Sequence, residues 1–304
     1  MTATPATPAP APDAERTEPR AVTPPPSEEQ TQGSWPVRVG LIVVIALWTL
    51  PTVGLLVSSF RAADDVRRSG WWTVFTGGGF NATLENYTTV LEGQGMGEAF
   101  MNSLAVAVPA TVIPILAAAF AAYAFAWMDF RGREVLFVVF VGLLVVPLQV
   151  AFIPLTRLYV NAGVTSDFVK VWLAHTGFGM PLAVYILRNY IGSLPREVIE
   201  SAKVDGASHF ATFWRLIIPL SVPALAAYAI FQFLWTWNDF LVALIFMTDN
   251  EVVTITLANL VGSRGQDWHL LTAGAFITMT VPLVVFFALQ RFFVRGLTAG
   301  SVKG

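Results

Sequence analysis

The chain has 304 residues, of which 55% are hydrophobic and only 12% are charged. Because ordinary soluble domains carry about 25% charged residues, this composition predicts an integral membrane protein. The net charge of −2 argues against nucleic acid as a partner, and the absence of cysteine excludes disulfides, thiolate catalysis and cysteine-ligated metals.

Residues 1–34 are rich in Ala, Pro, Thr and Glu. Such a segment cannot bury enough apolar surface to offset the entropy lost on ordering, so we expect a disordered tail there and a membrane domain over residues 35–304. The first apolar run begins only near Val37 after a polar start, which is not the pattern of a cleavable signal peptide. That run is therefore expected to stay in the membrane as the first span.

Six segments reach the length of about 20 apolar residues that a helix needs to cross a bilayer. They lie at residues 37–59, 101–127, 134–156, 169–190, 219–247 and 270–292. The expected fold class is therefore an all-α membrane protein with six transmembrane helices. Several of the segments contain proline, which membrane helices tolerate when neighbouring groups satisfy the freed carbonyls.

Lysine and arginine residues are unevenly divided between the two sides of this predicted bundle. With the N-terminus inside, one side carries 12 of the 18 and the other side carries 6. Positively charged loops stay in the cytoplasm. The bias predicts a multi-pass protein with both termini and the loop around residues 194–218 in the cytoplasm.

That loop belongs to a longer stretch, residues 194–223, which mixes charged and apolar residues between the predicted fourth and fifth spans. Four of its apolar residues follow the i, i+3, i+4, i+7 spacing of one helical face: Phe210, Phe213, Trp214 and Ile217. Gly206 interrupts the helical run and permits a turn. The pattern predicts two short helices around a glycine turn with an apolar ridge. An amphipathic connector resting on its own helices or on lipid headgroups is the other interpretation.

The predicted fifth span carries polar and aromatic residues on one side. Tyr228, Gln232, Trp235 and Asp239 follow one helical face, and Asn238 flanks them. Because a carboxylate exposed to the bilayer centre costs on the order of 2.5–3.5 kcal/mol, we expect this stripe to face a protein interior or a watery cavity. Hydrogen-bonding groups beside flat rings suit a sugar in a translocation path. The other interpretation is that these residues only satisfy backbone groups and pack.

The 194–223 stretch closely resembles the EAA loop of ABC-importer membrane subunits. The likeness is carried by Glu200-Ser201-Ala202, Asp205-Gly206-Ala207, Ile218-Pro219 and Pro223, with Ser201 in place of the middle Ala of the family pattern. Asn102-Ser103-Leu104, Trp237-Asn238-Asp239-Phe240 and the C-terminal QRFFVRGLTAGSVKG are similar to maltose-type carbohydrate permeases. The likeness covers nearly everything from about residue 37 to the end of the chain, so residues 35–304 look like one permease domain.

This resemblance implies a permease subunit of a sugar importer in the cell (inner) membrane, in contact with membrane lipid. It implies that a cytoplasmic helix between the fourth and fifth spans couples the chain to an ATPase dimer. The implied coupling residues are Glu200, Ser201, Ala202, Asp205, Gly206, Ala207, Phe210, Phe213 and Trp214. A second permease subunit and an extracytoplasmic sugar-binding protein are the other implied partners. The stretch 262–269 looks like family members for α-glucosides, which points to an α-glucoside or an oligosaccharide.

The sequence has no G-x-x-x-x-G-K-[ST] phosphate loop, so the chain is not expected to hydrolyse ATP or to act as an enzyme. Its three histidines are scattered, so no metal or cofactor is expected. An ion-coupled secondary transporter is the alternative, and it would need an intramembrane charged site, for which Asp239 is the one acidic candidate. A membrane-embedded enzyme would need a catalytic pair. His175 has no acidic neighbour at helical spacing and is expected to be a hydrogen-bonded core residue.

Overall fold

A computed structural model of the chain describes residues 35–77, 80–261 and 267–298. The predicted tail over residues 1–34 and most of the 262–269 stretch lie outside the described residues. The chain forms two compact units, Met1–Pro51 and Thr52–Gly304. The described part of the first unit is most of one helix, and the second unit holds all the later helices.

The regular elements of the described ranges are helices, which confirms the all-α class. Within these ranges, an isolated antiparallel β-bridge joins Arg61 to Ala82. The helices are α1 (Trp35–Ser59), α2 (Ala63–Arg68), α3 (Glu85–Thr88), α4 (Met96–Ala107), α5 (Pro109–Trp127), α6 (Arg133–Gly142), α7 (Leu148–Asn161), α8 (Asp167–Gly192), α9 (Arg196–Val204), α10 (His209–Thr212), α11 (Ile218–Trp237), α12 (Leu241–Phe246), α13 (Val253–Asn259) and α14 (Trp268–Thr298). Short 3-10 turns cover Trp71–Phe75 and Leu143–Val145, and π turns cover Thr89–Gly93 and Phe213–Ile217.

Four helical segments of the described chain are long and apolar enough to cross a membrane. They are Trp35–Ser59, Met96–Trp127, His209–Trp237 and Trp268–Gln290, and the bent pair Arg133–Val145 and Leu148–Asn161 makes a fifth if it counts as one span. Helix α8 coincides with the predicted fourth span and has 26 residues, but it is not among the apolar candidates because it carries polar residues such as His175 and Arg188. Length and apolarity therefore support four or five spans in the described chain, against the six predicted.

The predicted third span, residues 134–156, is wrong as a single helix. Its two parts meet at an angle of 107°. Because the ring of a proline disfavours the helical conformation of the residue before it, Val146 is extended with ψ 119°, and Pro147 follows at ψ 132°. The chain therefore turns sharply in the middle of the segment.

The predicted fifth span, residues 219–247, is also interrupted. Helix α11 ends at Trp237, where the Asn238 side-chain amide donates a 2.7 Å hydrogen bond to the carbonyl of Leu234. The chain resumes as α12 only at Leu241. The side chain of Asn238 thus adds a second hydrogen bond to a carbonyl of the last turn, which also accepts the backbone N–H of Asn238 at 3.1 Å.

Small residues let three helices approach closely at the centre of the second unit. Ala118, Ala119 and Ala122 of α5 and Ala183 of α8 are all fully buried in one cluster that also contains Tyr228 of α11. Such small residues permit close helix contact in a membrane, where van der Waals packing drives association. A further cluster joins α11 to α14, and there the Trp237 indole donates to the carbonyl of Thr278 at 3.1 Å.

Candidate functional site

The 194–223 segment folds as α9, a glycine turn, α10 and a π turn that runs directly into α11. At the turn, Gly206 has φ +76°, a left-handed conformation that side chains with a Cβ rarely adopt. After it, the Ser208 hydroxyl accepts a 3.2 Å hydrogen bond from the backbone N–H of Ala211 and caps α10. The prediction of two helical stretches around a glycine turn is confirmed, although the second stretch continues into the span.

The segment is fixed to the bundle by buried contacts with α5. The ring of Phe213 is 1% exposed and stacks on Phe120 with centroids 4.2 Å apart. The hydroxyl of Tyr123 lies 2.9 Å from Nδ1 of His209. Ile199 of α9 is fully buried in the same cluster. The segment therefore has a fixed orientation on the end of α5.

The predicted apolar ridge is divided in two, and only one part of it is exposed. Residues four apart on a helix share a face, so Phe213 and Ile217 form one row and Phe210 and Trp214 form another. The first row is buried against α5, whereas Phe210 is 68% and Trp214 is 40% exposed. The spacing along the sequence predicts both rows, but it does not show which row is buried against the rest of the chain.

At the end of α9, just before the glycine turn, Val204 is also exposed, at 88%. We call Val204, Phe210 and Trp214 the loop face. The remaining predicted coupling residues divide by exposure, with Glu200, Ser201, Asp205 and Gly206 exposed, Ala207 half-buried and Ala202 and Phe213 buried. The segment thus presents apolar side chains beside carboxylates, which suits contact with another protein.

On α11, Tyr228 and Gln232 are buried and hydrogen-bonded to neighbouring helices. The Tyr228 hydroxyl lies 2.8 Å from the carbonyl of Gly179 and 2.8 Å from Oε1 of Gln232. Nε2 of Gln232 donates to the carbonyl of Ala110 at 3.1 Å. A Cβ at Gly179 would lie 2.7 Å from that Oε1, so the glycine makes room for the amide. At these two positions the predicted stripe faces a protein interior and joins α5, α8 and α11.

The other three stripe residues lie around the end of α11. Trp235 is half-buried and meets the ring of His175 edge-on, with centroids 5.1 Å apart. Asn238 is exposed. Asp239 does not continue the helical face as predicted, because α11 ends two residues before it. Its Oδ2 instead accepts a 3.1 Å hydrogen bond from the backbone N–H of Ala243 and caps α12.

His175 on α8 matches its predicted role only in part. It is fully buried, and its Nε2 lies 3.7 Å from Oδ2 of Asp239, beyond the length of a direct hydrogen bond. Neither ring nitrogen has a hydrogen-bond partner within the described ranges. The expectation of a buried core histidine is confirmed, whereas the expected hydrogen bond to the protein is not found in the described ranges. The acidic neighbour, Asp239, lies in the break between α11 and α12, and helical spacing along α8 cannot reveal it.

At the other end of α8, sequence reasoning missed a carboxylate that ties two segments together. Oδ2 of Asp167 accepts hydrogen bonds from the backbone N–H groups of Thr248 at 2.8 Å and Asp249 at 3.1 Å, and Oδ1 accepts one from Lys170 at 3.0 Å. Burial acts to raise the pKa of the Asp167 carboxyl, but these hydrogen bonds outweigh it and hold the pKa below its usual value. Only the Lys170 partner lies at a helical spacing.

Among the described residues, no group of three or more His, Asp or Glu side chains is arranged to hold a metal ion. The candidate site consists of two parts, the loop face and the polar residues at the end of α11.

The arrangement of helices defines a class of protein. It matches a chain of a bacterial ABC transporter involved in the import of the acidic polysaccharide alginate, with a TM-score of 0.70 over 89% of this chain and 100% of that one. The sequence identity is 18%, so this likeness establishes the fold of ABC-importer permeases.

The family follows from the sequence. The chain belongs to the family described as binding-protein-dependent transport system inner membrane component, whose model matches residues 110–299. It is 59% identical to the osmoprotective compounds uptake permease protein GgtD of Synechocystis sp., over 88% of this chain and 92% of that protein. It is 45% identical to the alpha-glucoside transport system permease protein AglG of Rhizobium meliloti, over 89% of this chain and 97% of that protein. The chain is thus a transport permease of the inner membrane.

Proposed function

We propose that the chain is the permease subunit of an ATP-driven importer and passes a sugar that an extracytoplasmic binding protein delivers. The exposure of the loop face is the main support for this proposal. Its apolar side chains stand exposed on a segment whose other apolar row is fixed to α5. Exposed aromatic side chains of this kind anchor protein interfaces. Because the sequence has no phosphate loop, the partner we assign to this surface is a cytoplasmic ATPase dimer.

The contacts around the loop face explain how movement of the ATPase would reach the membrane. The Phe213–Phe120 stack and the Tyr123–His209 contact join the segment to α5, and the π turn runs into α11 without a break. A displacement of the loop face is therefore passed to both helices as a rigid-body movement. Glu200 and Asp205 are exposed beside it and can accept charge-assisted hydrogen bonds that fix its register on the partner.

We further propose six spans, with the α6–α7 pair as the third and α8 as the fourth. At a rise of 1.5 Å per residue, the 26 residues of α8 reach roughly 39 Å, which exceeds the hydrocarbon thickness of a bilayer. The inward side of α8 packs on α5 and α11, so its polar residues there meet protein, which is where such residues belong in membrane helices. We expect the exposed apolar sides of α6 and α7 to contact lipid and a second permease subunit.

Single-cysteine labelling tests this topology, because the natural chain contains no cysteine. Glu92→Cys lies in the loop assigned to the outside and Val204→Cys lies in the loop face, and both positions are exposed. In intact cells, a membrane-impermeant maleimide should label the first variant, and it should label the second only after permeabilisation. The reverse pattern would contradict the orientation.

For the substrate, we propose an uncharged α-glucoside. An α-glucoside that serves as an osmoprotectant would agree with the names of both relatives. At the end of α11, the half-buried ring of Trp235, the exposed amide of Asn238 and the carboxylate of Asp239 combine a flat apolar surface with hydrogen-bonding groups. We assign these three residues to the sugar path. Tyr228 and Gln232 hold the helix in position for them.

Competition for uptake tests the substrate class. A radiolabelled α-glucoside should be displaced by unlabelled α-glucosides, but not by the β-linked isomer or by glycine betaine, an osmoprotectant without a sugar. Displacement by betaine alone would exclude the sugar. Trp235→Ala should raise the sugar concentration at half-maximal uptake, whereas Trp48→Ala, on the exposed surface of α1, should leave it unchanged.

A further inference from the structure

A small cavity lies where α8 passes the break between α11 and α12. Its volume is about 10 Å³, and its polar lining residues are Ser103, His175, Thr236 and Asp239. This volume is close to the minimum that one water molecule occupies. Apolar side chains such as Val106, Val171 and Val252 complete the wall, so the polar groups are gathered in an otherwise apolar environment.

Three buried polar atoms on two of these residues have no protein partner among the described residues. They are Nδ1 and Nε2 of His175 and Oγ1 of Thr236. Buried polar side-chain atoms are nearly always hydrogen-bonded, to protein or to ordered water. Ser103, which also lines the cavity, is hydrogen-bonded in this way, because its hydroxyl accepts a 2.9 Å hydrogen bond from the backbone N–H of Val253. The unpartnered atoms therefore indicate a ligand of very small size.

The distance between the His175 ring and the Asp239 carboxylate also fits such a ligand. Nε2 of His175 and Oδ2 of Asp239 are 3.7 Å apart, too far for a direct hydrogen bond and close enough for one oxygen atom to contact both. Asp239 is not free to move closer, because its Oδ2 accepts from the N–H of Ala243 and its backbone carbonyl accepts from the Thr254 hydroxyl at 2.7 Å. The Asp239 side of the gap is thus held in place by hydrogen bonds.

We propose that this cavity is a binding site for one ordered water molecule. The water donates a hydrogen bond to the Asp239 carboxylate and contacts Nε2 of His175 and Oγ1 of Thr236. A buried water typically makes about three hydrogen bonds, and these three groups supply them. They belong to α8, to the last turn of α11 and to the cap of α12, so the water joins the two sides of the helix break to the neighbouring helix.

Two isosteric or near-isosteric substitutions test the proposal through the sign of a stability change. Thr236→Val removes the hydroxyl from the site. Ser221→Ala removes another buried hydroxyl of α11, which does not line the cavity and has no hydrogen-bond partner among the described residues. Removing an unsatisfied buried hydroxyl is neutral or stabilising, whereas removing a hydrogen-bonded one leaves its partner unsatisfied. Melting temperatures of the full chain in lipid nanodiscs measure both changes.

With water bound, Thr236→Val lowers the melting temperature by about 2–4 °C, and Ser221→Ala leaves it unchanged or raises it. The effects of Thr236→Val and Asp239→Asn are then also non-additive, since both residues contact the same water. An increase for Thr236→Val like that for Ser221→Ala, or strict additivity with Asp239→Asn, would overturn the proposal.

A cryo-electron microscopy map of the full chain, at a resolution that shows ordered water, gives the direct test. The expected result is a density peak within about 2.7–3.2 Å of Asp239 and of at least one of His175 and Thr236. A direct His175–Asp239 hydrogen bond without such a peak would overturn the proposal. A melting temperature that falls when Na⁺ is replaced by choline would overturn it in favour of a bound cation.

Discussion

Phe210 and Phe213 are three residues apart on the same segment, and their substitution by alanine should have opposite consequences. Phe210 is 68% exposed in the loop face, whereas Phe213 is 1% exposed and stacks on Phe120. We expect Phe210→Ala to weaken contact with the ATPase without loss of stability. We expect Phe213→Ala to destabilise the chain itself.

The magnitudes follow from the burial of the two rings. Phe213 contacts three aromatic rings, Phe120 at 4.2 Å, Trp214 at 5.2 Å and Tyr123 at 5.7 Å between centroids. Truncating a buried phenylalanine to alanine costs about 3–5 kcal/mol. A substitution at an exposed position such as Phe210 usually changes stability by less than about 0.5 kcal/mol. An aromatic anchor of an interface, however, contributes about 2 kcal/mol or more to binding, which is roughly a 30-fold loss of affinity.

Two measurements on the purified permease in nanodiscs separate these effects. Thermal unfolding reports stability, and titration with the ATPase subunit reports affinity. Phe210→Ala should keep the wild-type melting temperature and bind the ATPase about 30-fold more weakly. Phe213→Ala should melt earlier. Wild-type affinity in Phe210→Ala would refute the assignment of the loop face to the ATPase, and a wild-type melting temperature in Phe213→Ala would refute the anchoring of the segment on α5.

Substitutions at three further positions test the glycine turn, the Tyr228 hydrogen bonds and the Asp167 carboxylate. Gly206→Val should strain the left-handed turn by on the order of 1–3 kcal/mol and uncouple ATP hydrolysis from uptake. Gly206→Asn should retain more coupling, because asparagine tolerates this conformation. Equal coupling in both variants would argue against a role for the turn. Tyr228→Phe should lower stability by about 1–3 kcal/mol and leave the sugar concentration at half-maximal uptake unchanged. A change in that concentration at wild-type stability would instead show that Tyr228 contacts the sugar. Because the pKa of Asp167 is lowered in the folded chain, its contribution to stability is present above the unfolded-state pKa of about 3.9 and is lost as the pH falls through the lower folded value. Asp167→Asn should therefore lower the melting temperature at pH 7 and reduce its fall on acidification, and an unchanged acid profile would show that the carboxylate makes no such contribution.

Some features of the fold were predictable because they depend on local sequence. The all-α class follows from long apolar segments, and the glycine turn follows from one residue inside an amphipathic run. Gly206 at φ +76° confirms that inference. The breaks were harder to predict. Pro147 and Asn238 are visible in the sequence, but membrane helices tolerate many prolines and polar residues, so their presence alone does not show where a helix ends.

The candidate site was predicted least well where it depends on contacts between distant segments. Periodicity placed Phe213 in the same ridge as Phe210, and only the position of Phe120 on α5 shows which row is buried. His175 and Asp239 lie on separate segments, and no spacing rule connects them. The Asp167 anchor joins residues 81 positions apart. Such contacts are set by the packing of whole helices, which a single sequence does not display.

ATP-dependent uptake in proteoliposomes shows whether this chain works as the permease of an ATP-driven sugar importer. The permease is reconstituted with a second permease, the ATPase dimer and the binding protein, and accumulation of a radiolabelled α-glucoside is measured. We expect accumulation that requires both ATP and the binding protein and that persists without any ion gradient. Accumulation by this chain alone, driven by a proton or sodium gradient in the absence of ATP, would contradict this expectation.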